Sequence, residues 1–323
     1  MILNYSIVRN VKLVKHFESI LEPEDPEYRL DLTGAAYSFS WQYDGKRAYV
    51  PLSLEERDLA CVAVCEQVED RKIKVVYFLP PGSSVEKSCL EALVMKALAL
   101  DEDLSAFYEI CSGDPILRGV QYVRGLHLKS ADAWTSFLIA VSQQNASFRQ
   151  GWYMLYRLHK TLGRQVYLQD LGRVYILPPK PEDIVQAGEQ QLRACGYGYR
   201  ARIVLEVAKR IASAEKASDI LNLLKNVKGV GPYTYGLTRV IARRDYSVPV
   251  IDRWVKGLYE HIGIKSVEKY FKETFKNYQG LATWFLTIIL DAEPLSKAIE
   301  RVSKGEIKPK FSGLTPLTMW RYW

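Results

Sequence analysis

The chain has 323 residues, 48% of them hydrophobic and 25% charged, the balance of a folded globular protein with room for two or three packed units. A formal net charge of +7 and an isoelectric point near 9.0 suit a polyanionic partner, because phosphate neutralisation dominates nucleic-acid affinity. There is no apolar run of about 18 residues and no basic-then-apolar leader, so neither a membrane span nor secretion is expected. An intracellular location is expected, the cytoplasm or nucleoid of a prokaryote, since no nuclear or mitochondrial address is visible.

Residues 28–78 read mainly as strands. Segments 28–32, 37–41, 47–51 and 73–78 are β-branched or aromatic and partly alternating, with Asp44-Gly45 as a hairpin turn. Residues 52–68 are ambiguous and lean towards helix. Cys61 and Cys65 then fall one turn apart on an apolar stretch and read as buried core thiols. The five cysteines are odd in number and irregularly spaced, which argues for a reduced compartment rather than a disulfide framework. Pro80-Pro81-Gly82 breaks the chain, and residues 85–100 have helical periodicity. From Ser130 to about Arg301 the pattern is nearly all helix. The last stretch, 304–323, mixes Lys304, Lys308, Lys310 and Arg321 with Phe311, Trp320, Tyr322 and Trp323. Such a tail stacks on bases, covers a pocket, or packs on its own domain.

The most informative segment is Val227-Lys228-Gly229-Val230-Gly231-Pro232-Tyr233. Two glycines around one apolar residue make a tight turn with a backbone that approaches other surfaces closely. Ile220, Leu223 and Leu224 before it, and Leu237, Val240 and Ile241 after it, recur at helical spacing, so the turn joins two helices. Pro232 stands where its missing N–H costs least, at the start of the second helix. Helix N-terminal amides there bind phosphate readily. Further on, Asp252 opens another helix. A lone carboxylate stabilises the positive charge that builds on a sugar as an N-glycosidic bond breaks, and orients or deprotonates water. It is equally a helix N-cap.

The hairpin with its following Asp resembles the signature of the helix-hairpin-helix DNA glycosylase superfamily. Residues 192–202, Leu-Arg-Ala-Cys-Gly-Tyr-Gly-Tyr-Arg-Ala-Arg, resemble a segment of the 8-oxoguanine DNA glycosylases. Leu30-Asp31-Leu32 with Phe39-Ser40-Trp41 resembles the start of their N-terminal β domain. Gln143-Gln144-Asn145 resembles the Gln-Gln turn of bacterial 3-methyladenine glycosylases or the Asn-rich turn of the 8-oxoguanine enzymes. The resemblance implies an α+β fold: an N-terminal antiparallel β-rich domain (1–125), an all-α helix-hairpin-helix body (126–303), and the basic-aromatic tail (304–323). It implies a monomeric enzyme of base-excision repair that flips a damaged base, most simply an alkylated or oxidised purine, from double-stranded DNA and hydrolyses its N-glycosidic bond.

In that reading Asp252 is catalytic, and Tyr233 and Trp254 line the base pocket. Lys228, Gly229, Val230, Gly231, Gln143, Gln144, Asn145, Arg200 and Arg202 contact DNA. The carbonyls of Val227 and Gly229 would hold a monovalent cation. Read without the resemblance, the Gln143–Asn145 amides either meet an orphaned base or cap the helix ends. Arg200 and Arg202 either meet phosphate or pair with carboxylates such as Glu206. No cysteine follows Cys195, so the iron–sulfur cluster of some relatives is not expected. Bifunctional members place a lysine where this chain has Tyr233. Tyrosine forms no imine, so a monofunctional enzyme is expected. The alternatives are a non-catalytic DNA-binding protein, a uracil/thymine mismatch glycosylase, and a glycosylase/lyase using an atypical lysine. Ala36 replaces the glycine of the 8-oxoguanine branch, which leaves the excised base open.

Overall fold

The computed structural model describes residues 11–54, 59–213 and 219–323. β1 (Val11–Leu21), β2 (Arg47–Leu52), β3 (Cys61–Glu69) and β4 (Lys72–Leu79) come from the first part of the chain, with a six-residue helix α1 (Leu30–Ala35) between the first two strands. β2–β3, β3–β4 and β4–β1 are antiparallel. Then follow α2 (Lys87–Leu98), α3 (Ser105–Ser112), α4 (Ala133–Gln143) and α5 (Phe148–Leu162). A hairpin of β5 (Arg164–Leu168) and β6 (Arg173–Leu177) interrupts the helices. β5 joins β1 in parallel, giving the sheet order β2-β3-β4-β1-β5-β6. The remaining helices are α6 (Pro181–Ala194), α7 (Arg200–Ala212), α8 (Ile220–Leu224), α9 (Pro232–Arg243), α10 (Arg253–His261), α11 (Val267–Thr274), α12 (Gln279–Ile289) and α13 (Leu295–Ser303). Among the described residues no helix is long and apolar enough to cross a membrane.

The strand period divides the core. On β3, Val62 and Val64 face a cluster shared with α4–α8, while Cys61, Ala63 and Cys65 face a second cluster with α2. A third cluster gathers α3 and α9–α13. Both sheet faces are thus covered, the condition under which strands read as near-continuous apolar runs.

Several sequence expectations are corrected here. The helical lean at 52–68 fails over its described part, where Leu52 ends β2 and residues 61–68 lie in β3. Cys61 and Cys65 share a face in either conformation, since a spacing of four fits both periods, and β-branched Val62 and Val64 favour the strand. Residues 55–58 of that stretch lie outside the described residues. Segment 28–32 is largely α1, whose side chains from Leu32 to Ala35 are consecutively buried, and no strand pairs with it. Segment 37–41 is a turn whose Phe39 and Trp41 stack at 4.7 Å inside the core. The body is not all helical, since β5 and β6 extend the sheet, which is therefore mixed rather than purely antiparallel.

The C-terminal segment packs back on the protein. Ile307, Leu317 and Met319 are buried, and the Pro316 carbonyl accepts the Tyr37 N–H at 2.8 Å. Arg301, 5% exposed, donates to Asp291 at 2.7 Å and to the carbonyls of Ile289 at 3.1 Å and Lys308 at 2.6 Å. Asp291 in turn accepts the Lys310 N–H at 3.0 Å. Each buried charge is therefore met by several partners, the condition under which such a pair is tolerated.

Candidate active site

The hairpin forms as its glycines require. Gly229 has φ +98°, and a Cβ there would lie 2.7 Å from Ile203 Cδ1. Gly231 caps α9 with Pro232 in its first turn, and the Val230 N–H donates to the Val227 carbonyl at 3.1 Å. α9 packs on α4, which brings the hairpin to the Gln143–Asn145 turn. There Gln144 donates to the Gly229 carbonyl at 3.3 Å and accepts from Thr234 at 3.1 Å. Lys228 and Gly229 are exposed, beside the N-terminal amides of α9.

Asp252 caps α10, accepting the Val255 N–H at 2.9 Å. It opens onto a crevice of about 1690 Å³ that Tyr233, Trp254, Tyr37, Trp152 and Trp284 also line. Burial raises the Asp252 carboxyl above its ordinary range, against backbone hydrogen bonds from Val255 and Trp254 that lower it. Among the described residues no cation forms a salt bridge with it. Burial also keeps the Tyr233 hydroxyl protonated, with Asp252 and Tyr37 adding to that effect. Trp254 is fixed by its indole N–H, which donates to the Glu293 carbonyl at 2.8 Å.

Tyr37, which sequence reasoning did not single out, forms one wall. Its ring stacks on Trp152 at 5.1 Å and meets Phe148 at 6.0 Å and Trp284 at 6.1 Å. Its φ of +51° is uncommon for a bulky side chain. The hydroxyl bonds Thr287, the amide is held by Pro316, and the neighbouring turn is fastened by Lys129. The Lys129 amine donates to the Gly34 carbonyl at 3.1 Å and to the Ser38 hydroxyl, and burial pushes its pKa down to about 7. The only sequence signal for this wall was the departure from the family at Ala36-Tyr37.

The predicted DNA contacts divide. Asn145 is exposed at φ +49°, donating to the exposed Tyr199 at 3.3 Å. Arg200 is inward, 8% exposed, and donates to the carbonyls of Gln144 at 2.9 Å and Asn145 at 3.1 Å. It clamps the turn and does not pair with Glu206, which pairs with Arg210. Arg202 is outward and pairs with Glu189 at 3.1 Å. Gln143 turns in against Gly151, where a Cβ would lie 2.5 Å from its Nε2. That nitrogen is buried without a partner, and the side chain faces the crevice. Val227 and Gly229 carbonyls each accept one internal hydrogen bond and keep one lone pair. A monovalent cation there would need further oxygens from water or phosphate. Among the described residues no three His, Cys, Asp or Glu converge as a metal site. Four cysteines are buried and Cys89 is exposed.

This architecture, a sheet joined to a helical body that carries the hairpin, is a fold shared with solved DNA glycosylases. The 3-methyladenine DNA glycosylase of Archaeoglobus fulgidus superposes with a TM-score of 0.64 at 19% identity, over 88% of this chain and 98% of that one. The Clostridium acetobutylicum 8-oxoguanine glycosylase/lyase, in complex with double-stranded DNA containing cytosine opposite 8-oxoguanine, gives 0.62 at 16% identity, over 89% and 98%. In sequence, an N-glycosylase/DNA lyase of Saccharomyces cerevisiae is 21% identical over 190 residues, 58% of this chain and half the length of that relative. No protein-family model matches the chain.

Proposed function

We propose that the chain is a monofunctional DNA N-glycosylase of base-excision repair. The observation that carries this reading is Asp252: a carboxylate that, among the described residues, has no salt-bridge partner, at the wall of an aromatic crevice and one helix start away from an exposed hairpin suited to phosphate. An uncompensated negative charge is costly to bury, and it is useful where positive charge develops on a sugar in the transition state. The hairpin amides and Lys228 grip the backbone. Gln144 and Asn145 sit against the hairpin where an orphaned base would be met. A monovalent cation on the Val227 and Gly229 carbonyls would neutralise a phosphate there. Tyr233 in place of an amine supports hydrolysis by water rather than imine chemistry.

The pocket walls favour an electron-poor base. Tyr37, Tyr233 and Trp284 line the pocket with aromatic rings, the Tyr37 hydroxyl and the Trp254 indole N–H are already engaged, and Asp252 adds negative charge. A cationic alkylated purine gains from all of these. The test is a cleavage panel with wild type and Asp252→Asn on duplexes carrying 3-methyladenine, 8-oxoguanine, hypoxanthine, uracil, or thymine opposite guanine. Strand breaks only after hot alkali, lost in the variant, are the expected result. Breaks without alkali, with a covalent complex trapped by borohydride, would replace water with a lysine nucleophile. Tight binding with no release from any duplex would leave only a DNA-binding protein.

A further inference from the structure

The outer face of α5 carries rings and cations that the base pocket does not use. Tyr153 is 41% exposed, and its ring lies nearly parallel to that of Tyr156, 6.2 Å away at 8°. Trp323 sits 6.1 Å from Tyr153 on one side, and Trp41 lies 5.8 Å from Tyr156 on the other. The Arg157 guanidinium stands 4.3 Å over Tyr153. The Lys160 ammonium lies 5.1 Å from Trp41 and 5.6 Å from Tyr156.

The charge on this face is one-sided. On other helices several cations are balanced at i,i+4, as Arg210 is by Glu206, Arg193 by Glu189 and Lys304 by Glu300. The fifteen residues of α5 contain no carboxylate, and among the described residues Arg157 and Lys160 form no salt bridge. Folding alone gains little from an aromatic row left at the surface beside unneutralised charge. A strand with unpaired bases matches both features, since bases stack on rings whatever their sequence while phosphates meet the cations. The row also reaches the crevice, because Trp323 lies 6.4 Å from Phe148, which lies 6.0 Å from Tyr37.

We propose that the outer face of α5, with Trp323, is a second nucleic-acid contact that stacks the unpaired bases of a single DNA strand. It goes beyond the glycosylase reading, which concerns one extruded base, and it stands or falls on binding alone. The experiment is fluorescence anisotropy with a labelled oligothymidine and with an undamaged blunt duplex, on the full chain and three variants. Wild type binds the oligothymidine. The double variant Tyr153→Ala with Arg157→Gln weakens that binding by about tenfold or more and leaves the duplex affinity nearly unchanged. Tyr153→Phe, which keeps the ring, binds as wild type does. Arg157→Gln with Lys160→Gln, which keeps every ring, lowers the salt dependence of single-strand binding. Thermal melts confirm that each variant is folded. Oligothymidine affinity unchanged by loss of Tyr153, or an equal loss on single strand and duplex, overturns the proposal. So does a wild type that ignores oligothymidine, which would leave this face to a protein partner. The cleavage panel reads the glycosylase activity separately, so failure of either idea is seen on its own.

Discussion

Asp252 serves catalysis and stability in opposite senses. Its carboxyl is raised by burial, so the folded state favours the protonated form, while the proposed chemistry needs the ionised one. The sign follows from linkage: a carboxyl whose folded pKa lies above the unfolded value of about 3.9 destabilises the fold once pH exceeds both. The cost is absent in strong acid and grows as pH rises through that window. Asparagine removes the charge and keeps an acceptor for the Val255 N–H. Asp252→Asn is therefore expected to lose turnover by about a hundredfold or more and to melt at or above the wild-type temperature at neutral pH. Melting curves across pH check this, and a lower neutral-pH melting point for the variant would contradict it. Tyr37 gives a complementary case. Tyr37→Gly relieves a left-handed backbone but removes a wall on which a base stacks, a contact worth about 1–3 kcal/mol. The Michaelis constant is expected to rise about tenfold, with the smaller change in Tyr37→Phe, which loses only the bond to Thr287. Steady-state kinetics on the best substrate of the cleavage panel separate the two.

The hairpin between α8 and α9 was legible in the sequence because everything that shapes it is local. Gly229 needs φ +98° and space beside Ile203; Pro232 needs a first helical turn. Gly229→Ala violates both of the glycine's constraints and is expected to cost about 1 kcal/mol or more, with weaker duplex binding, as urea unfolding and anisotropy would show. Asp252, Tyr233 and Trp254 were singled out through the resemblance, and all three line the one crevice. What escaped was set by distant partners. β5 and β6 are strands because β1 offers an edge to Val166 and its neighbours. α1 is a helix because it seals the core where no strand could pair. Arg200 was read as meeting phosphate or pairing with a carboxylate, and its guanidinium instead donates to the carbonyls of another loop. The Tyr37 wall needs α5, α12 and the C-terminal segment at once, and no spacing in one segment announces that.

Across the molecule, one buried charge network fastens the first part of the chain to the helix that carries Tyr233. His127, fully buried, lies 3.0 Å from Asp25 and 3.5 Å from Glu102. Glu102 accepts from Tyr246 at 3.1 Å, and Arg244, which caps α9, pairs with Asp101 at 2.7 Å. Burial pushes the His127 ring down, but the hydrogen bond to Asp25 and the nearby Glu102 carboxylate outweigh it and the pKa ends above the ordinary value. A raised histidine contributes stability that is complete below the unfolded pKa of about 6.5 and is lost as pH rises through the folded one. His159 acts in the opposite sense. Burial lowers it to about 4, so its contribution is present above about 6.5 and is lost as pH falls towards the folded value. The contributions of these two histidines are therefore expected to be jointly greatest near the ordinary histidine pKa, while Lys129, lowered to about 7, and Asp291, raised to about 6, act against the alkaline and acid limbs respectively. His127→Gln should lower the plateau and flatten the alkaline limb alone, while the acid limb set by His159 stays. Chemical denaturation from mildly acid to mildly alkaline pH distinguishes this from a general charge effect, which would move both limbs together. Because the network ends at Arg244 and Tyr246, just before the segment leading to Asp252, the alkaline loss should also reach the site. Duplex cleavage by His127→Gln is then expected to vary less with pH above neutrality than that of the wild type.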